Sequence, residues 1–305
     1  MSRSTWSKVE MFSVRTPSGA TPVEILANGN MQAEIIVDIK VVDENGYPVK
    51  LTEFDKNKLN LIDYNNAARF SYDWSISEIE NIYTHTLADN TLTTTPGPLS
   101  DVQSFRFWVT TVVETPVSIG AMILLPDEST VSTHSTEFDS HIQCLGIAPS
   151  RYKLADVSFT QQNTSDSPKY PDGVTIDQDN YYLSLKNGNP IVAVEWRYGS
   201  MNIFAQRNTS ASTQQLYAWP LDANKTQTIS VQSATAIDNY DITVNNYPGQ
   251  VTFTRISAAL TDNPLSDTFD NPLTFRILDN LGNYGDFTVS QTNSFNTMKI
   301  VDYPA

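Results

Sequence analysis

The sequence predicts an all-β chain: two antiparallel β-sandwich domains, immunoglobulin-like or jelly-roll-like, with at most one or two short helices. Three observations carry that prediction. Apolar and polar residues alternate over short runs, as in Glu34-Ile35-Ile36-Val37-Asp38-Ile39-Lys40-Val41. Gly, Pro, Asn and Asp turns recur at intervals of roughly ten residues. Helical periodicity never extends far enough to build a core.

Taken in order, Ile35, Val37, Ile39 and Val41 share one strand face, with Glu34, Asp38 and Lys40 on the other. A tight turn follows at Asn45-Gly46, where glycine supplies a positive φ. Val42-Asp43-Glu-Asn45-Gly46-Tyr-Pro48-Val49 resembles the Asp-x-Asn-Gly-x-Pro-Val turn of bacterial immunoglobulin-like repeats over that one hairpin, while the surrounding loops are longer. Thr52 is placed to cap a helical turn over residues 53–58. Ser77-Glu-Ile-Glu80 has the capping-box spacing for a second turn through Tyr83. Phe105–Val109 and Val117–Leu125 read as deeply buried strands.

Gly146-Ile-Ala-Pro149-Ser150 is the expected linker, because proline biases its predecessor towards extended backbone. The expected domains are therefore 1–148 and 149–305. Beyond the linker, strands are expected near 181–186, 191–198, 228–231, 241–244, 251–256, 273–278, 287–289 and 298–301. Residues 92–100 and 161–173 read as exposed loop tips. The two ends of the chain also look alike. Ile39–Tyr64 and Phe275–Tyr303 each run strand, Asp/Asn/Gly turn, strand, excursion, and a strand closing on Asp-Tyr.

Bulk composition narrows the function classes. A chain of 305 residues exceeds a usual single core, so two domains of about 150 residues are the default. The net charge is −15, from 34 acidic against 19 basic residues, and the basic ones do not cluster. That field repels phosphate backbones and disfavours nucleic-acid binding. The single cysteine, Cys144, excludes an intrachain disulfide and is expected to be buried. Met1-Ser-Arg-Ser-Thr-Trp6 carries no apolar leader of the classical secretory kind, and no stretch has the length of a membrane helix. With charged residues at only 17%, the surface rests on Asn, Thr, Ser and Gln, a composition associated with virion or extracellular surfaces.

The candidate chemistry is sparse. Asp172, Asp177 and Asp179 in an Asp/Asn/Gly-rich stretch suit a structural calcium ion, although turns use the same residues. No other cofactor is expected. His134, Glu137, Asp139, His141 and Cys144 include zinc-type ligands, but strand alternation places His141 and Cys144 on opposite faces. Glu195 is the carboxylate best embedded in an apolar strand, with Arg197 on its face, so an ion pair or a solvated stripe is its ordinary reading. Trp74, Tyr217 and Trp219 are the aromatic residues best placed to stack on a sugar, strand packing being their ordinary role. Residues 226–244 alternate like a pore-forming hairpin and equally like an ordinary sandwich hairpin. No nucleophile elbow is present.

The expectation is a non-enzymatic structural or attachment protein of a virion or phage-tail-like assembly, contacting other subunits through loops and sheet faces as a homo-oligomer or larger assembly. A pore-forming toxin and a carbohydrate-binding module are the alternatives.

Overall fold

A computed structural model describes residues 6–87, 101–197, 203–264, 268–292 and 295–303. Its regular elements are almost all strands, and its contacts divide it into two compact units, Met1–Pro149 and Ser150–Ala305.

The first unit runs β1 (Lys8–Arg15), β2 (Val23–Leu26), β3 (Ala33–Val42), β4 (Pro48–Val49) and a single turn of helix, α1 (Glu53–Lys56). It continues with β5 (Leu59–Asp63), β6 (Trp74–Ser77), β7 (Gln103–Thr111), β8 (Pro116–Leu124), β9 (Thr130–Ser132) and β10 (Ile142–Ile147). Two sheets form, ordered β1-β3-β7-β6 and β2-β10-β8-β5, with β4 added to β3 and β9 to β8. All pairings are antiparallel except β2 with β10. Ile35, Val37 and Ile39 of one sheet and Ile119, Ala121 and Ile123 of the other are wholly buried, which is the interior of a sandwich.

Asp38 lies on the polar face of β3 yet is buried, because Arg15 Nε (2.6 Å) and Ser104 Oγ (2.5 Å) both donate to its carboxylate. Thr52 does cap α1: its hydroxyl accepts from the Asp55 amide while the Asp55 carboxylate accepts from the Thr52 amide. The second expected helix is absent. Ser77 ends strand β6, and its hydroxyl closes a local turn on Ile79 instead. The 92–100 loop lies outside the described residues.

In the second unit a 3-10 turn (Leu154–Asp156) precedes β11 (Val157–Ser165), β12 (Thr175–Leu185), β13 (Ile191–Trp196), β14 (Ile203–Asn208) and β15 (Ser212–Ala218). Then come β16 (Thr226–Gln232), β17 (Ile237–Thr243), β18 (Val251–Ala259), β19 (Phe269–Asp270), β20 (Leu273–Asp279), β21 (Tyr284–Gln291) and β22 (Met298–Asp302). The 161–173 stretch is thus only partly loop, since β11 extends through Ser165.

A six-stranded sheet, β11-β12-β18-β15-β14-β19, stands in the middle. The four-stranded sheet β13-β20-β21-β22 supplies Phe275, Ile277, Phe287 and Val289 to a core that also takes Leu183 and Phe253 of the six-stranded sheet. The β16-β17 hairpin supplies Ile229, Val231, Tyr240 and Ile242 to a second core with Ile176, Tyr217, Trp219 and Ile256. The unit therefore has three layers, and the middle sheet is buried on both sides. That explains why β18 is buried at almost every position rather than at every second one.

The resemblance between the chain ends is real at the turns. Gly46 (φ +83°) donates to the Asp43 carbonyl, and Gly282 (φ +77°) donates to the Asp279 carbonyl. Each aspartate then accepts two further backbone amides, Asn45 and Tyr47 in one case and Leu281 and Asn283 in the other. Beyond the turns the two ends diverge. β5 leaves for the opposite sheet to pair with β8, whereas β20, β21 and β22 stay together.

Candidate functional site

The three aspartates do not converge. Asp177 and Asp179 lie in β12 rather than in a loop, two positions apart and on one face, with Arg255 of β18 directly opposite Asp179. Arg255 Nη1 donates to both carboxylates, at 3.0 Å for Asp179, and its Nη2 donates to Asn296 Oδ1 at 2.7 Å. The guanidinium thus bridges two of the three aspartates. Asp172 is elsewhere, in the turn before β12, and accepts the Tyr240 hydroxyl. Among the described residues no group of three or more His, Cys, Asp or Glu is arranged to hold a metal ion.

Glu195 stands on the solvated stripe that is one of the two ordinary readings of its strand. It is exposed and faces Arg276 across the β13-β20 pair, while Arg197 donates to Asp286 at 3.0 Å. Arg276 donates to the same carboxylate through Nε and Nη2, both at 3.0 Å. Burial pushes the Asp286 carboxyl up, but the Arg276 and Arg197 bonds outweigh it and hold the group below the usual carboxylate range. For a depressed acid, stability is present above the unfolded pKa of about 4 and is lost as pH falls through the folded value. Asp286→Asn is expected to remove about 1 kcal/mol at pH 7 and correspondingly less near pH 3. Urea midpoints of parent and variant at the two pH values measure this; a difference that does not shrink on acidification contradicts it.

His134 and His141 are brought together, though not as metal ligands. Both rings pack on Tyr64, at 4.9 Å edge-on and 4.3 Å stacked, and the Tyr64 hydroxyl donates to Asp139 at 2.5 Å. Cys144 is buried in β10, and that burial pushes its thiol up to about 12, which makes it inert as a nucleophile at neutral pH.

Trp74, Tyr217 and Trp219 are all buried, at 7%, 6% and 2% exposure. Trp74 packs within the first unit. Tyr217 of β15 and Trp219, just beyond its end, are two positions apart and stack on each other at 5.4 Å with an interplanar angle of 6°. The Tyr217 hydroxyl donates to Gln215 Oε1 and the Trp219 indole N–H to Thr254 Oγ1. None of the three offers an open ring face. Burial pushes the Tyr217 phenol well above its ordinary value, so it is neutral at any working pH.

Both rings nevertheless reach a cleft of about 670 Å³ in the second unit. The two-stranded hairpin is narrower than the six-stranded sheet beneath it, and the uncovered part of that sheet becomes the floor. Gln206, Gln215, Tyr217 and Trp219 form this floor, Ile203 and Phe269 line one side, and Thr228, Ser230 and Gln232 of β16 line the other. The Gln215 amide donates to Gln206 Oε1 at 2.9 Å and to the Ser230 carbonyl at 3.3 Å.

A second cleft, of about 490 Å³, lies in the first unit and escaped sequence reasoning. His85 packs on Trp108 at 4.4 Å and sits 2.9 Å from Glu80, while Arg106 Nε lies 3.2 Å from Glu34. Its residues come from β2, β3, β7 and two loops, so no local motif announces it. Each of its two carboxylates has a basic neighbour.

No family model matches the chain, and no curated protein matches it. Among solved structures it aligns with the C-terminal domain of the AgI/II polypeptide BspA of Streptococcus agalactiae at 7% identity, over 96% of this chain and 99% of that one, with a TM-score of 0.22. The adhesin InvE of Yersinia pseudotuberculosis aligns at 12% identity, over 97% and 58%, with a TM-score of 0.19. The collagen-binding domain of the surface protein RspB of Erysipelothrix rhusiopathiae aligns at 10% identity, over 98% and 94%, with a TM-score of 0.17. Superpositions this loose carry no argument about the present chain.

Proposed function

We propose that this chain is a non-enzymatic structural or attachment protein, and more specifically a component of a virion or phage-tail-like assembly that engages other protein subunits through its loops and sheet surfaces. One observation carries the reading: carboxylates within the sheets and turns, buried or half-buried, are committed to holding them together. Asp38 is held by Arg15 and Ser104, Asp177 and Asp179 by Arg255, Asp286 by two arginines, and Asp279 by a turn. Asp286 is held below the usual carboxylate range by its two arginines and so does not serve as a general acid. The low charge density and the Asn/Thr/Ser/Gln surface support contact with other proteins through shape and hydrogen bonds.

No helix among the described residues is long and apolar enough to cross a membrane. The β16-β17 hairpin has seven residues per strand, and its apolar face forms core. Light scattering on the full chain at rising concentration, together with mass spectrometry of any particle that contains it, tests the reading. The expected result is a defined oligomer or a stoichiometric place in a particle. A monomer at every concentration with no particle association overturns it.

A further inference from the structure

We infer that the cleft beside β16 binds an uncharged, extended peptide segment of a protein partner, which joins the β16-β17 hairpin as a third strand. The inference rests on the attachment reading and names the chemistry of the partner. Its basis is the direction of the β16 backbone. Val244 N–H donates to the Lys225 carbonyl and Ser233 N–H to the Ala236 carbonyl, one at each end of the hairpin. With a period of two, Gln227, Ile229 and Val231 exchange bonds with β17, while Thr226, Thr228 and Ser230 turn their N–H and C=O groups outward. The Ser230 carbonyl confirms this direction, since it accepts from Gln215 on the cleft floor. A bridge between Ser233 and Pro264 bounds the edge at its far end.

An exposed strand edge is a template for another strand, and proteins ordinarily guard such edges with lysine or proline. The β16 sequence Thr-Gln-Thr-Ile-Ser-Val-Gln contains neither. Charge selects among occupants. None of the residues lining the cleft carries a charge at neutral pH, in a chain of net charge −15. A charged side chain entering it loses hydration and finds no opposite charge. An uncharged segment with alternate apolar residues meets Ile203 and Phe269 on one side and the free β16 amides on the other. Sugar stacking is disfavoured, because the Tyr217 and Trp219 rings are closed on each other.

The test uses the full chain and an array of seven-residue peptides, matching the length of β16, in which Val or Ile alternates with Ser, Thr or Asn. A matched set carries Asp or Lys at the polar positions, and a glycan array runs in parallel. The uncharged peptides are expected to bind, and hydrogen exchange at the Thr228 and Ser230 amides is expected to slow. N-methylation of alternate peptide amides in the register facing β16 should weaken binding about tenfold or more, and methylation in the other register should leave it intact. Binding of charged peptides alone, glycan hits without peptide hits, protection confined to other strands, or indifference to methylation register each overturns the inference. If the chain assembles with its particle while the β16 amides stay unprotected and no peptide binds, this inference fails and the attachment reading stands. Peptide binding without any assembly has the opposite meaning.

Discussion

Replacing Arg255 by methionine is expected to lower the stability of the second unit by about 3 kcal/mol or more. The Arg255 side chain is 4% exposed, and it is the shared partner of Asp177 and Asp179, whose side chains are 34% and 11% exposed. Removing it leaves two like charges side by side on β12, in the middle of a sheet covered on both faces. Asp177 retains some water, which sets the expectation at the lower end of the usual range for breaking a buried pair. The cause is isolated by a triple variant, Arg255→Met with Asp177→Asn and Asp179→Asn. With the charges gone, most of the loss should return, because the pair itself contributes little beyond its own desolvation. Urea denaturation of the parent, the single variant and the triple variant decides the matter. A single variant within about 0.5 kcal/mol of the parent, or a triple variant no better than the single, contradicts this account.

That cluster also marks where the sequence stopped being informative. Asp177 and Asp179 were visible as a pair of acids, but in a stretch that reads as turn rather than strand, so nothing in the sequence placed them on one face. Their partner lies 76 residues from Asp179. Nothing local in Val251–Ala259 says that its single arginine points inward at two carboxylates, so an oxygen-rich loop for calcium was the natural reading. The same limit appears at Tyr217 and Trp219. Their shared face follows from a spacing of two, but its closure depends on a hairpin that begins later in the chain. By contrast, the face of β3 that forms core was legible from Ile35 to Val41, since period-two burial is a local signal. The Thr52 cap was legible for the same reason, whereas at Ser77 an identical-looking signal lost to strand pairing with β7. The cleft around His85 and Trp108 left no local trace at all.

The repeated turn yields the second large effect, because one motif occurs at two depths. Asp279→Ala is expected to cost about 3–4 kcal/mol, and Asp43→Ala about 1 kcal/mol or less. Both aspartates accept two backbone amides across a glycine at positive φ. Asp43 does so near solvent, where water replaces the lost acceptor. Asp279 is wholly buried and also accepts the Tyr152 hydroxyl at 2.6 Å and the Asn189 side-chain amide at 3.0 Å. Burial first, and the Asp279 bond second, push the Tyr152 phenol up to about 12, so that hydroxyl remains a donor that needs an acceptor. Alanine at 279 strands several buried donors at once, and each unsatisfied one costs about 1–3 kcal/mol before relaxation. Asparagine at 279 retains one acceptor oxygen and should fall between alanine and the parent. Chemical denaturation of the three variants, followed by tyrosine and tryptophan fluorescence, measures the order. Equal losses at 43 and 279 would mean that the turn geometry alone sets the cost and that burial of the network adds nothing.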